Sequence, residues 1–309
     1  MAQGKNKPLK RHWYKKIAGL FIAGASRLVL RLPEGIAEGF GSSIGKLAYF
    51  FSKKYRTRAI ENLRMCFPEW DENKVKRTAR AVFEHFGRTA ARFFRSYKMP
   101  PHEILNTIVA EEGLDALEQA KALQKGLIIV TAHFGNWERA AQYMNAKGYK
   151  INTVARDADD ELTGEIVNRA RREQGTEVYS RGSAAKDLLR ALSRNEAVAI
   201  LVDQNANDVF VPFFGFPAGT VAGPAVLHLR TGAPILIGFC LENGKGQYRV
   251  SFVRPTFPPA TGNQEEDIRT IMTVINKVLE DKIREHPEQW LWMHDRWRSA
   301  RKLGLLETK

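Results

Sequence analysis

The apolar positions of this chain change texture once, near residue 100. Before that point they recur every three or four residues and read as helix throughout. Residues 17–32, IAGLFIAGASRLVLRL, form an apolar run that stops before Pro33. Over 35–51, Ile36, Phe40, Ile44, Leu47, Phe50 and Phe51 fall at helical spacing, and most of them read as core positions. Residues 70–98 continue the helical pattern behind Asp71, a capping residue. Pro100-Pro101 then breaks it. Beyond the break, strands (126–132, 150–155, 197–203, 234–242, 248–253) alternate with helices (137–148, 161–175, 183–195, 222–232, 264–285). This alternation predicts an α/β fold: a mostly parallel central sheet flanked by helices, with an N-terminal helical extension. The expected division is a basic N-terminus and membrane-associating helix over 1–33 and a single domain over 34–309, helical to 100 and α/β from 101.

Composition narrows the class. With 309 residues, 44% of them hydrophobic and 27% charged, the chain can bury a large core, which excludes wholesale disorder. Lys and Arg number 48 against 34 acidic residues, a formal charge of +14 that favours anionic partners. The N-terminus concentrates this charge: Lys5, Lys7, Lys10, Arg11, Lys15 and Lys16 surround Trp13 and Tyr14 and lead into the apolar run. Sixteen residues interrupted by Arg27 fall short of the roughly 20 that span a bilayer. The run therefore reads as a helix in the cytoplasmic leaflet, or as a helix packed on the protein itself. Ala23-Gly24-Ala25 resembles a signal cleavage site, but the apolar stretch continues past it.

Cys66 and Cys240 form no CxxC pair or ligand cluster and read as free, buried thiols. The seven His show no metal-ligand spacing, and there is no P-loop, GxGxxG or GxSxG. No metal or nucleotide cofactor is implied.

The chemically informative stretch is Thr131-Ala132-His133-Phe134-Gly135-Asn136-Trp137-Glu138. His133 ends an apolar strand just before a helix, at the sheet edge where open α/β folds bind ligands. A His there with Glu138 five positions on is suited to be a base with its orienting carboxylate. A helix-start His beside a first-turn Glu favoured by the dipole is the other reading.

HFGNWE (133–138) is one of several blocks with a family likeness. The others are ENLRMCFPEW (61–70), EGLDAL (112–117), NRARREQG (168–175), DQN (203–205), the stretch 209–236 and PEQWLWMHDRWR (287–298). Together they resemble the late lauroyl/myristoyl-type acyltransferases of lipid A biosynthesis, in the lysophospholipid acyltransferase superfamily with its His-x4-acidic motif. The resemblance covers nearly the whole chain and implies an acyltransferase domain over 34–309. It implies His133 as catalytic base and Glu138 as its partner, with substrate-binding roles for Arg171 or Arg172 and for Asp203. Arg156, directly after a strand at the same edge, is a further candidate. For Asp203, a strand-end carboxylate that orients a loop is the alternative. Arg92 stands where the family pattern places an acidic residue, which bears on the acceptor pocket.

The implied reaction is O-acyl transfer by direct attack of a lipid hydroxyl on an acyl thioester. The donor would be acyl carrier protein or acyl-CoA, and the acceptor an anionic lipid A precursor, at the cytoplasmic face of a bacterial inner membrane. Another lipid acceptor (a glycolipid, an aminolipid or a lysophospholipid) is the nearest alternative. A non-catalytic membrane-binding protein is an alternative of a different class. The basic residues are scattered and no nucleic-acid motif occurs, so no nucleic-acid partner is expected. Two aromatic blocks stay open. VPFFGFPAG (211–219) reads as a loop, with its Phe at the mouth of an acyl tunnel, in contact with lipid, or buried under a helix. Trp290, Trp292 and Trp297, among Arg296 and Arg298, suit either a membrane interface or packing, with His294 structural.

Overall fold

A computed structural model describes residues 24, 29, 31–96, 98–155, 161–180 and 184–306. The predicted membrane-associating run and Arg156 lie largely or wholly outside them. The helical extension comprises α1 (Glu34–Phe51), α2 (Lys53–Cys66) and α3 (Glu72–Ser96). The side chain of Asp71 accepts the Lys74 N–H at 2.8 Å, the cap that its position predicts. α1 and α3 meet backbone to backbone: a Cβ on Gly87 would sit 2.1 Å from the Gly41 carbonyl oxygen.

After Pro100 the chain runs α4 (Pro101–Asn106), β1 (Ile108–Glu112), α5 (Leu114–Ala122), β2 (Leu127–Thr131), α6 (Trp137–Ala146) and β3 (Ile151–Ala155). It continues as α7 (Glu161–Glu173), β4 (Glu177–Ser180), α8 (Ala184–Ser193), β5 (Ala197–Leu201) and the hairpin β6 (Val209–Phe213)–β7 (Phe216–Thr220). Last come α9 (Gly223–Thr231), β8 (Ile235–Glu242), β9 (Tyr248–Val253), α10 (Gln264–Glu285), a short 3₁₀ turn at Pro287–Gln289 and α11 (Arg298–Lys302). Seven strands form one sheet in the order β1-β9-β8-β2-β5-β3-β4. Every neighbouring pair is parallel except β8 with β9. The expected α/β architecture with a mostly parallel sheet and a helical N-terminal part is the one observed.

The central strands are apolar on both faces because both faces are covered. Ile128 and Val130 point into a core shared with α2, α3, α8 and α10, whereas Leu127 and Ile129 join Tyr143 and Met144 of α6 on the other side.

Two sequence expectations change. Residues 211–219 belong to a β-hairpin and not to a loop: β6 and β7 pair antiparallel, and both turn residues have positive φ (Phe214 53°, Gly215 77°). A Phe in that conformation is held by its surroundings, since its N–H donates to Glu280 at 2.5 Å and its ring packs on Trp290 and Trp292. Phe213 and Phe214 are buried, which favours burial among the readings of this block. In α1, the positions expected to be core divide: Ile36, Leu47, Phe50 and Phe51 are exposed, the last by 83%.

Trp290, Trp292 and Trp297 are at most 1% exposed, so they are core and not a membrane interface. Arg296 is fully buried among them and donates to the Gly219 carbonyl and to Thr220 Oγ1, which ties the hairpin to the C-terminal segment. Burial brings its pKa down to about 10. His294 is structural, as expected. Its Nε2 accepts the Asn205 N–H at 2.9 Å, and burial holds its pKa down to about 4.

Candidate active site

β2 and β5 are neighbours in register, with Thr131 opposite Leu201. Two residues past each strand end stand His133 and Asp203, and the register brings them side by side. Asp203 Oδ1 lies 2.9 Å from His133 Nδ1, and Oδ2 accepts the His133 backbone N–H at 2.9 Å. The Trp290 indole donates to Oδ2, also at 2.9 Å. A carboxylate only accepts, so the proton of this pair sits on His133 Nδ1, and in the neutral ring Nε2 carries the lone pair. Burial opposes ionisation of Asp203 most strongly. The His133 ring, its N–H and the indole outweigh burial and hold the carboxyl below the usual Asp range.

The expected pairing of His133 with Glu138 is therefore not the one observed. Glu138 opens α6, and its carboxylate meets Arg171 of α7: Nε lies 3.2 and 3.1 Å from the two oxygens and Nη2 2.5 Å from Oε1. The Trp137 indole adds a bond to Glu138 at 3.0 Å. Burial works against the Arg171 charge, and Glu138 more than restores it, raising the pKa of the guanidinium. A helix turns the residue five positions on away from the strand-end His, while strand pairing brings in a partner 70 positions distant.

The turn between His133 and α6 is fixed on all sides. Gly135 has φ +60°, and a Cβ there would sit 2.3 Å from the Cys240 carbonyl oxygen, so only glycine fits. Asn136 N–H donates to that carbonyl at 2.7 Å, and Gly135 N–H to the Gln289 carbonyl at 3.0 Å. From below, the buried His85 of α3 reaches the Gly135 carbonyl with Nε2 at 3.1 Å and Glu242 with Nδ1 at 2.9 Å. Glu242 also holds Arg88 and Arg92, and Arg92 continues to Glu38 of α1. Arg92, expected to bear on the acceptor pocket, is thus a buried structural cation.

His133, Trp137, Glu138 and Arg171 border a cavity of about 1120 Å³. Its walls between α6 and the sheet include Ile129, Ala141, Met144, Ala199 and Phe252, an apolar slot beside the polar mouth. Gln204 joins the mouth, with its amide nitrogen 3.4 Å from His133 Nε2.

The model of the bacterial lipid A biosynthesis acyltransferase family matches residues 5–299. The chain belongs to that family. It is accordingly an acyltransferase. It is similar to the lipid A biosynthesis lauroyltransferase of Escherichia coli, 27% identical over 89% of this chain and 90% of the relative. The palmitoleoyltransferase of the same organism is 26% identical over 90% of each chain. A phosphatidylinositol mannoside acyltransferase of Mycobacterium tuberculosis is 26% identical over 70% of this chain and 69% of its own.

Within this family member, the structure brings His133, Glu138 and Arg171 to one cavity, with Asp203 buried behind His133. It leaves Arg172 exposed on the outer side of α7. The roles of Trp290 and Gln204 were not legible in the sequence. The only signal was their place in the blocks 287–298 and 203–205. Cys66 and Cys240 are free and buried, and burial pushes the Cys240 thiol up to about 12 and Cys66 well above its ordinary value. Neither thiol is a nucleophile at neutral pH.

Proposed function

We propose that this chain moves a fatty acyl chain from a thioester to a hydroxyl of a lipid A precursor, with His133 as general base. The observation that carries the reading is the His133–Asp203 pair, its Nε2 turned to the mouth of a large, partly apolar cavity at the carboxyl edge of the sheet. Nε2 takes the hydroxyl proton as the oxygen attacks the thioester carbonyl carbon. Asp203 holds the tautomer and stabilises the imidazolium that forms. Collapse of the tetrahedral adduct breaks the carbon–sulfur bond, and the imidazolium returns the proton to the leaving thiolate. Ester and free thiol are the products, without an acyl-enzyme.

Glu138 serves Arg171 in this scheme. With Nε–H and one N–H of Nη2 on Glu138, the side-on fork of the guanidinium is taken and its end-on N–H groups stay free. Nη1, whose nearest partner is Asn168 at 3.5 Å, remains to meet the oxyanion of the adduct. The acyl chain lies in the slot between α6 and the sheet. The +14 charge suits acyl carrier protein, an acidic donor, as well as acyl-CoA and an anionic acceptor. Such an acceptor places the enzyme at the cytoplasmic face of the inner membrane.

The mycobacterial relative keeps a glycolipid acceptor as the second reading. A panel of acceptors, each offered with labelled acyl carrier protein and then with acyl-CoA, tests the proposal. Transfer to the lipid A precursor that needs His133 supports it. Absence of product with that acceptor and both donors, beside His133-dependent transfer to another lipid, replaces lipid A with that lipid.

A further inference from the structure

From Ile36 to Phe51, the solvent-exposed positions of α1 are Ile36, Gly39, Ser43, Leu47, Phe50 and Phe51. None is charged. Ile36, Leu47 and Phe50 expose 56–58% of their surface. A helix facing water shows the opposite pattern, polar outside and apolar within. Of the two charges that α1 carries in this span, Glu38 is turned inward to Arg92 at 2.8 Å, and Lys46, at the edge of the strip with its side chain 44% exposed, reaches Glu84 at 3.9 Å, both partners on α3. Nor can the helix roll its apolar strip inward. A Cβ on Gly45 would lie 2.2 Å from the Phe83 carbonyl oxygen, so α1 sits backbone to backbone on α3.

Cations bracket the strip. Arg31 is exposed before α1, and Lys53 and Lys54 are exposed after it. At 1.5 Å per residue, Ile36 and Phe50 are about 21 Å apart along the axis. An apolar strip of that length with basic ends matches the interface of an anionic bilayer, where acyl chains lie beside phosphates. No described helix is long and apolar enough to cross a membrane.

We propose that α1 lies in the surface of an anionic bilayer, with Ile36, Leu47, Phe50 and Phe51 among the acyl chains and Arg31, Lys53 and Lys54 at the headgroups. The inference deepens the membrane reading given above by naming the docking surface. It also sets where the site stands. Phe86 of α3 lies 6.0 Å from the Trp137 ring, which is 5.0 Å from His133. The docked helix is thus one layer from the catalytic turn, close to where a lipid-borne hydroxyl arrives.

The test uses the full chain with an environment-sensitive fluorophore on Phe51→Cys or, as control, on Leu303→Cys, which is 63% exposed just past the end of α11. The native cysteines are buried and do not compete for label. With phosphatidylglycerol-rich vesicles, the label at 51 is expected to shift to the blue and be quenched by spin-labelled lipid, while the label at 303 stays in water. The double variant Phe50→Asp, Phe51→Asp is expected to lose about tenfold or more in transfer to acceptor embedded in vesicles. It should match wild type on acceptor dispersed in detergent.

A label at 51 that stays in water while the protein floats with the vesicles overturns the proposal and leaves the membrane reading standing, with another segment as anchor. A shift that follows protein concentration without lipid also overturns it, in favour of a second copy of the chain. Equal loss in vesicles and detergent overturns it as well. If wild type transfers nothing in either assay, the functional reading fails, and the label still decides the docking surface.

Discussion

His133 and His85 each present Nδ1 to a buried carboxylate at 2.9 Å, one to Asp203 and the other to Glu242. Their second nitrogens differ. Nε2 of His133 faces the cavity, with the Gln204 amide 3.4 Å away. Nε2 of His85 is stopped by the Gly135 carbonyl at 3.1 Å, and the ring is 1% exposed. A His–carboxylate pair is therefore a base only where its free nitrogen meets substrate. Elsewhere it is a strut. Here the strut supports the base, since Gly135 belongs to the turn that follows His133.

The strongest way to break the comparison is His133→Ala. Transfer should fall by about 10³-fold or more, with a Tm loss no larger than that of His85→Ala, because Asp203 keeps the His133 backbone N–H and the Trp290 indole. The reverse result, lost stability with retained transfer, would exchange the roles of the two histidines. Asp203→Asn is next. It leaves the shape but offers the ring an amide, and kcat should drop about 10²-fold or more while KM for the acyl donor holds. A comparable drop from Glu138→Gln in a variant whose Arg171 is still ordered would favour Glu138 as the orienting group.

His85→Ala sharpens the contrast. The turn loses one of its bonds, so transfer should fall about tenfold, and the buried Glu242 left with one partner fewer should cost about 2 kcal/mol in denaturant unfolding. The smallest effect is a pH dependence. Burial opposes the Glu242 charge, but His85, Arg92 and Arg88 hold its carboxyl far below the usual Glu range. A depressed carboxyl contributes stability that is complete above its unfolded value of about 4.3 and is lost as pH falls toward the folded value. The Tm gap between wild type and Glu242→Gln should be constant near neutrality and shrink below about pH 4. A gap that grows on acidification would mean that Glu242 is not held ionised.

Much of this architecture is legible in local pattern. The continuous apolar runs of 126–132 and 197–203 mark the two strands that carry the site, and Asp71 caps α3 as its position predicts. What escaped is set by contacts distant in sequence. β1 lies at the sheet edge, and β4 has only four residues, too few for a periodic signal. The positive φ of Phe214 is imposed by Glu280 and two Trp rings, so no local propensity reveals the hairpin.

The same limit explains the carboxylates. His133 was legible at a strand end, and Glu138 is its neighbour in sequence. Its partner Asp203 emerges only when β2 and β5 lie side by side. In α1, the periodicity of apolar residues was correct, but periodicity does not say which face looks outward. That followed from Gly41, Gly45 and Gly87, which bring α3 against the other side.

The most direct test of the His133–Asp203 base is a single-turnover comparison of wild type, His133→Ala and His85→Ala. Each is given labelled acyl carrier protein and a lipid A precursor, with Tm measured on the same samples. The account predicts fast transfer by wild type, about tenfold slower transfer by His85→Ala with a lowered Tm, and a collapse in His133→Ala with a Tm loss no larger than that of His85→Ala. Equal transfer by wild type and His133→Ala would contradict it and make both histidines struts.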